Sequence, residues 1–314
     1  MRTLLEEIET RLHMSPRLDA AARADARREA RLLTAATLGC SPGDIARRID
    51  MTMLPAVRER VLVAAARRSR GEPLAYAVGT APFRHLSLHV DARVLIPRPE
   101  TECVVEEALR VTAARAGGIA VDIGTGSGAI ALALATEGRY DLVIATDVSA
   151  DALDVAMENA ALVNPPTRVE FRQGADLAPL DGLRARVIVA NPPYIAYEEA
   201  AALPASVRDW EPATALFAAD GGMARYDVLL AAAIRYLEPG GSFVVEVDAR
   251  RARETAARAE QHGWLDVRLV RDLAGRERVL VARAPGDTVP VMVYPNALAN
   301  ATASPTSVPG PEAR

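Results

Sequence analysis

The spacing of apolar residues divides the chain into three regimes. Residues 1 to about 72 read as helices: "DAAARADARREARLLTAATLG" is rich in Ala, Arg and Leu, and Gly39 supplies a stop. In "SPGDIARRID", Ser41 precedes a short helix with Pro42 at its first position. "TMLPAVRERVLVAAARRSRG" has apolar residues at helical spacing and predicts a further helix ending near Gly71. A small helical bundle over 1–75 follows, and its many arginines read as a solvated face.

Between Tyr76 and Asp91 the period changes. "FRHLSLHVD" places Phe83, Leu86, Leu88 and Val90 against polar neighbours, a strand pattern, and "YAVGTAPF" reads as the other arm of a hairpin. "LIPRPETE" closes this connector, assigned to 76–100, where Pro97 and Pro99 restrict the backbone before a helix begins near Thr101.

From about Ile119 the pattern becomes strand, helix, strand, helix. Strands are expected at "IAVDIG", "DLVIATD", "RVEFRQ", "ARVIVAN" and "SFVVEVD". This alternation argues a doubly wound α/β domain with a mainly parallel sheet over 101–284, with "DVRLVRDL" and "RVLVARA" as a hairpin at its edge. Residues 285–314 are rich in Pro, Ala, Ser and Thr, carry little charge, and read as a disordered tail.

Composition narrows the partners. A chain of 314 residues with half of them hydrophobic has enough apolar material for a sizeable core. The net charge of −4 supplies no basic field for a stable nucleic-acid partner. Every basic residue apart from the histidines is Arg, which reads as a genome habit and not as a binding device. Cys40 and Cys103 have no metal-ligand or redox spacing and are expected to be buried thiols in a reducing compartment. No signal peptide or apolar run of membrane-spanning length is evident, so a cytoplasmic protein without a membrane partner is expected.

Candidate chemistry begins at "VDIGTGSGAIALALA", which places Gly124, Thr125, Gly126, Ser127 and Gly128 between a strand and a helix. Glycines there admit a ligand close to the backbone and leave helix N-terminal N–H groups available. Asp147, about 20 residues on, ends the next strand, where a carboxylate can take two ribose hydroxyls. Dinucleotides and S-adenosylmethionine both need this arrangement. Asp122, just before the glycines, would repel a pyrophosphate and attract a sulfonium or ammonium, and Asp176 in "QGADL" is placed to meet an adenine amino group. The balance favours S-adenosylmethionine.

The run "VIVANPPYIAY" then stops a buried strand at Asn191-Pro192-Pro193-Tyr194, beside the glycine loop. Prolines bring no N–H, so the Asn carboxamide oxygen and the Pro192 carbonyl can together accept both hydrogens of a planar –NH₂ group. That orients a weak nucleophile and favours the positive charge building on it as a methyl group arrives. Tyr194 can stack on the flat acceptor and face a sulfonium. The similar Asn164-Pro165-Pro166 precedes a strand, at the opposite edge of the sheet, and reads as a turn.

These residues resemble the HemK/PrmC family, the protein-(glutamine N5) methyltransferases of peptide chain release factors. The resemblance runs over about residues 20 to 284 and includes "DARREARLL", "GEPLAYAVG", "VDARVLIPRPETE", the glycine loop, "NPPY", "VRDWEPATALF" and "DLAGRERVLVAR". It implies a Rossmann-like S-adenosylmethionine-dependent methyltransferase domain with a small N-terminal helical domain and β-hairpin connector. It further implies that Gly124 to Gly128, Asp147, Asp176 and Asn191 hold the cofactor. Asn191 to Tyr194 would take the glutamine of a class 1 release factor's Gly-Gly-Gln loop, Arg98 to Glu102 (Arg98 and Glu100 among them) would border the site, and the helical bundle would grip the partner. "NPPY" alone is shared with enzymes that methylate nucleic-acid amino groups; "PRPETE" separates this family from the one acting on a ribosomal-protein glutamine. The chain departs from the family at Glu246-Val247-Asp248, where Glu-Ile-Gly is usual, in the offset of "QGADL", and in its tail.

Rival readings make different demands. A nucleic-acid amino methyltransferase predicts a basic cleft or an added recognition domain. A binding module without activity predicts a broken loop or acceptor motif, and both are intact. A dinucleotide oxidoreductase needs a hydride-transfer site, and no acid–base pair suggests one.

Overall fold

The computed structural model describes residues 1–286, so nearly all of the tail expected at 285–314 lies outside the described residues. The chain opens on α1 (Arg2–His13), α2 (Ala20–Ala24), α3 (Ala26–Leu38), α4 (Pro42–Arg47), α5 (Pro55–Ser69) and α6 (Leu74–Val78). α1 buries Leu4, Leu5, Ile8 and Leu12, one stripe at helical spacing, in a cluster with Leu33 of α3 and Val61 of α5. The single helix expected across "DAAARADARREARLLTAATLG" is broken at Asp25 (φ −94°, ψ 11°), which closes α2 and opens α3. Gly39 ends α3 with φ 63°, and Ser41 and Asp44 form a reciprocal capping box at the start of α4.

The connector is β1 (Thr80–Phe83) paired antiparallel with β2 (Leu86–His89). Its first arm is shorter than the alternation suggests, because Tyr76 to Val78 belong to α6, which runs across position 75 and ends at Gly79 (φ 85°). Burial explains the difference: Tyr76 packs in a cluster with Val90, Val94 and Val155, and its hydroxyl donates to the Val94 carbonyl.

The larger domain proceeds through α7 (Glu102–Thr112), β3 (Ile119–Ile123), α8 (Ala129–Glu137), β4 (Leu142–Asp147), α9 (Ala150–Val163), β5 (Val169–Gln173) and β6 (Ala185–Ala190). Then come β7 (Ile195–Ala196), α10 (Ala205–Arg208), α11 (Ala213–Leu216), β8 (Phe217–Ala218) and α12 (Ala224–Ala232). β9 (Leu237–Glu246), α13 (Ala252–Gln261), β10 (Leu265–Arg271) and β11 (Glu277–Arg283) complete it. A seven-stranded sheet has the order β10-β11-β9-β6-β3-β4-β5; β9 to β5 are parallel, and β10 and β11 form the antiparallel edge that the sequence predicts.

Helices cover both faces, which is why every residue of β6 is buried and Val187 to Ala190 form an apolar run. Val121, Ile188 and Val245 pack on the face that holds Tyr226 of α12 and Ala259 of α13. Ala120, Val187 and Val244 pack on the other, with Val105 of α7 and Leu132 of α8. Cys40 and Cys103, expected to be buried, are half-buried free thiols because each lies at the margin of its cluster. Asn164 closes α9 in the left-handed region (φ 47°) ahead of β5, consistent with a turn.

The topology fixes where chemistry can sit. From β3 the chain builds outward through β4 and β5, then returns to β6 on the other side of β3. The crevice beyond the carboxyl ends of β3 and β6 is therefore the switch point of the sheet.

Candidate functional site

The loop after β3 is held by its own polar groups. Gly124, Gly126 and Gly128 have φ of 71°, 54° and 82°, where a side chain is strained. The Thr125 N–H donates to the Thr146 carbonyl at 2.8 Å, Gly126 N–H to Asp147 Oδ2 at 2.9 Å and Gly128 N–H to the Thr125 carbonyl at 2.8 Å. Ala131 N–H donates to Asp122 Oδ2 at 3.1 Å. The backbone donors expected to face a ligand are thus largely closed on the loop and on the ends of β3 and β4, two of them on carboxylates. Such a loop is poorly suited to a pyrophosphate and suited to a ligand without dense negative charge.

The five loop residues divide by role. A Cβ added at Gly124 or Gly126 would meet nothing within 4 Å, and both glycines line the crevice. A Cβ at Gly128 would fall 3.2 Å from both Ala156 Cβ and Leu132 Cδ1, so this glycine permits α8 to approach α9. Thr125 and Ser127 are buried; Thr125 Oγ1 donates to Asp122 Oδ2 at 2.6 Å, and the Ser127 carbonyl accepts from Asn159 Nδ2 at 2.9 Å. Asn159 also bonds the backbone of His89 in both directions, which ties the hairpin to the loop.

Asp122 does not face the crevice, contrary to the argument from its position before the glycines. It is fully buried, Oδ2 serves the loop, and Oδ1 has no hydrogen-bond partner among the described residues. Burial pushes its carboxyl up to about 7 against the bonds from Thr125 and Ala131, and the nearby Asp147 adds to the rise. Asp147 does line the crevice, with Oδ1 accepting from Ser149 N–H at 3.0 Å. Asp176 lines it too, in the left-handed region (φ 48°), with its carboxylate 3.0 Å from a guanidinium nitrogen of Arg225.

Asn191, Pro192 and Pro193, with Leu95, line both this crevice and a second cavity behind it, which adds Arg98, Tyr194, Val207 and Leu216. The acceptor motif is therefore the wall between two compartments. Arg98 is pinned by the buried Glu211, whose other oxygen accepts from Ile96 N–H at 3.1 Å. Segment "LIPRPETE" is held against "VRDWEPATALF" by this contact. Glu100 lines neither cavity; it pairs with Arg276 at 3.1 Å.

A hydrogen-bonded chain lies behind the motif. Asn191 Nδ2 donates to Thr101 Oγ1 at 3.1 Å, and Thr101 Oγ1 donates to Glu246 Oε2 at 2.6 Å. Tyr194 donates its hydroxyl to Glu246 Oε1 at 3.2 Å, so its ring is tethered at one end. Burial first, then the Glu246 charge, raises the Tyr194 phenol well above its ordinary range. Burial likewise raises the Glu246 carboxyl, opposed by the bond from Thr101 and the charge of Arg278. Sequence patterns do not single out Glu211, Glu246 or Arg225 as site residues, and they give Thr101, within the bordering Arg98 to Glu102, no role of its own. Thr101 and Glu211 do lie inside the motifs that carry the resemblance, and Glu246 begins the segment that departs from it.

Two family models match the chain. Residues 9–79 match the PrmC N-terminal domain, and residues 105–207 match the Methyltransferase small domain. A protein of Cereibacter sphaeroides named release factor glutamine methyltransferase is 37% identical over 270 residues, 86% of this chain and 95% of its own. One of the same name from Moorella thermoacetica is 41% identical over 237 residues, 75% of this chain and 83% of its own. A solved structure from Alicyclobacillus acidocaldarius, described as a release factor-specific protein-(glutamine-N5) methyltransferase, is 28% identical, with a TM-score of 0.38 over 60% of this chain and 94% of that one. Among described residues no helix is long and apolar enough to cross a membrane. Identity above a third, sustained over nearly the whole length of such relatives, is enough to assign kinship: the chain belongs to the release factor glutamine methyltransferase family.

Proposed function

We propose that this enzyme transfers a methyl group from S-adenosylmethionine to the side-chain amide nitrogen (N5) of the glutamine in the Gly-Gly-Gln loop of class 1 peptide chain release factors. The observation that carries the reading is the tether on Asn191. With Nδ2 committed to Thr101, Oδ1 is left to accept from a planar –NH₂ at the wall between the two cavities. The names of the relatives supply the acceptor class.

Residues of the first crevice fit such a cofactor. Open space lies before Gly124 and Gly126, Asp147 stands at the end of β4 for ribose hydroxyls, and the Gly126 N–H is already taken by the Asp147 carboxylate, which would repel a pyrophosphate. Gly124, Gly126 and Asp147 would hold it, with Asp176 and Arg225 at the rim. When bound, S-adenosylmethionine supplies an electrophilic methyl group.

The chain's own part is orientation and electrostatics. Asn191 Oδ1 and the Pro192 carbonyl would accept the two N–H groups of the glutamine amide and fix its plane. Those acceptors favour the positive charge that develops on nitrogen, whose lone pair is otherwise delocalised into the carbonyl. The second cavity has apolar walls at Leu95, Val207 and Leu216, which suit the glutamine methylenes and exclude water, while Arg98 is its fixed cation. The alkylated nitrogen loses its proton to solvent without a dedicated base. Release factors act in the cytoplasm, and we place the protein there with its substrate.

The test is incubation with methyl-labelled S-adenosylmethionine and, separately, release factor, ribosomal protein and nucleic acid. Label is expected on the release-factor glutamine. Label found only on nucleic acid would sink the reading.

A further inference from the structure

We propose that Glu246, acting through Thr101, is the positioning residue that decides which end of the Asn191 carboxamide faces the acceptor. The inference rests on the methyl-transfer reading and goes beyond it to residues outside the acceptor motif.

An asparagine side chain has nearly the same shape in two orientations half a turn apart, with opposite hydrogen-bonding character. One presents Oδ1 to an incoming –NH₂ and accepts from it. The other presents Nδ2, a donor facing a donor, and the clamp fails. Nothing in Asn191 or its two prolines selects between these, so the selection must come from what stands behind the side chain.

Thr101 Oγ1 stands there, with a single proton to give. An ionised carboxylate has acceptors only, so Glu246 Oε2, at 2.6 Å, takes that proton. Thr101 then has only lone pairs for Asn191, at 3.1 Å, and Asn191 must answer with Nδ2. Direction therefore passes from Glu246 to Thr101 to Asn191 and leaves Oδ1 for the substrate. The other oxygen of Glu246 accepts from Tyr194, at 3.2 Å, so both ends of the acceptor motif refer to one carboxylate.

The carboxylate is itself fixed. Ala190 and Val245 are register partners across β6 and β9, so Glu246 and Asn191 leave the sheet at the same level. Glu246 is 1% exposed, and the Tyr226 hydroxyl donates to its backbone carbonyl at 3.1 Å. A charge this deep is retained at a cost, and among the described residues the side-chain donors it satisfies are Thr101 and Tyr194, both turned toward the site. It lines neither cavity.

The test compares Thr101→Val, Thr101→Ser, Glu246→Gln and the Thr101→Val/Glu246→Gln double variant, each checked for folding and cofactor binding. Thr101→Val and Glu246→Gln should each lower kcat for release-factor methylation about tenfold or more, with cofactor affinity held within about threefold. Thr101→Ser, which keeps the hydroxyl, should retain most of the wild-type kcat. The double variant should be little worse than Thr101→Val alone, because the two residues act in series. Wild-type kcat in Thr101→Val, or losses that multiply in the double variant, would overturn the proposal; if Glu246→Gln does not fold, the contrast of Val with Ser decides it alone. Failure of the wild-type enzyme to methylate release factor would instead remove the parent reading.

Discussion

Ile123 and Ala190 are register partners across the parallel strands β3 and β6, so Gly124 and Asn191, one residue on in each strand, leave the sheet side by side. The glycine loop and the acceptor motif consequently share one crevice with no element between them. Their contributions should be separable by mutation, because they approach that crevice from different strands.

Asn191→Ala removes the amide oxygen and leaves the glycine loop and Asp147 in place. Transfer to release factor should fall by about 10²- to 10³-fold, the scale of losing one well-placed group at a developing charge. Cofactor affinity, measured by isothermal titration, should change only a few-fold. Unchanged turnover would remove Asn191 from its role.

The loop glycines should fail in two different ways. Gly124→Ala places its methyl in open space, so beyond a backbone cost of about 1–2 kcal/mol the damage should appear as weakened cofactor binding. Gly128→Ala carries the same backbone cost (φ 82°) and also forces a methyl to 3.2 Å from Ala156 and Leu132. It should lose more stability in urea unfolding than Gly124→Ala, by about 1 kcal/mol or more. Equal destabilisation would mean that α8 and α9 relax apart freely.

Local order along the chain makes part of this site legible before any fold is known. Asn191 stands out because an apolar run ends there in prolines, and Gly124 because glycines interrupt a strand-to-helix passage. Thr101 and Glu246 do not, because Thr101 meets Asn191 only once the start of α7 lies against β6, and Glu246 meets Thr101 only once β9 lies beside β6, neither of which periodicity specifies. The inward turn of Asp122 is hidden for a related reason. Position before the glycines places a residue at the crevice, but alternation along β3 sends the Asp122 side chain to the buried backbone of α8. Tyr76 is helical despite its strand-like surroundings because tertiary burial outweighs a short period-two pattern.

Arg98 and Glu211 form the latch that holds the "LIPRPETE" segment at the mouth of the second cavity. Glu211→Gln keeps the shape and loses the charge, leaving Arg98 without its counter-ion and weakening the bond to Ile96 N–H. Methylation of release factor should fall about tenfold, mostly as a raised KM for the protein substrate, with cofactor affinity within about threefold. A loss confined to cofactor binding would show that the latch serves the other compartment.

Asp122 gives the fold a pH dependence of unusual sign. A carboxyl in the unfolded chain titrates near 3.9, whereas in the folded protein burial and Asp147 move that of Asp122 to about 7. Between those values the folded state holds a proton that the unfolded state has released, so stability falls as pH rises through this window and levels off above it. Each tenfold difference in proton affinity between the two states is worth on the order of 1.4 kcal/mol, an upper bound where the interior relaxes. Asp122→Asn keeps an oxygen for Thr125 and Ala131 and carries no charge, but buries an amide donor where Oδ1 now has no partner, at about 1–3 kcal/mol. The variant should therefore be less stable than wild type in urea at pH 5, and the gap should close or reverse by pH 8. A difference that stays constant from pH 5 to pH 8 would mean that Asp122 is ionised throughout, its charge stabilised by the loop donors more strongly than its burial opposes it.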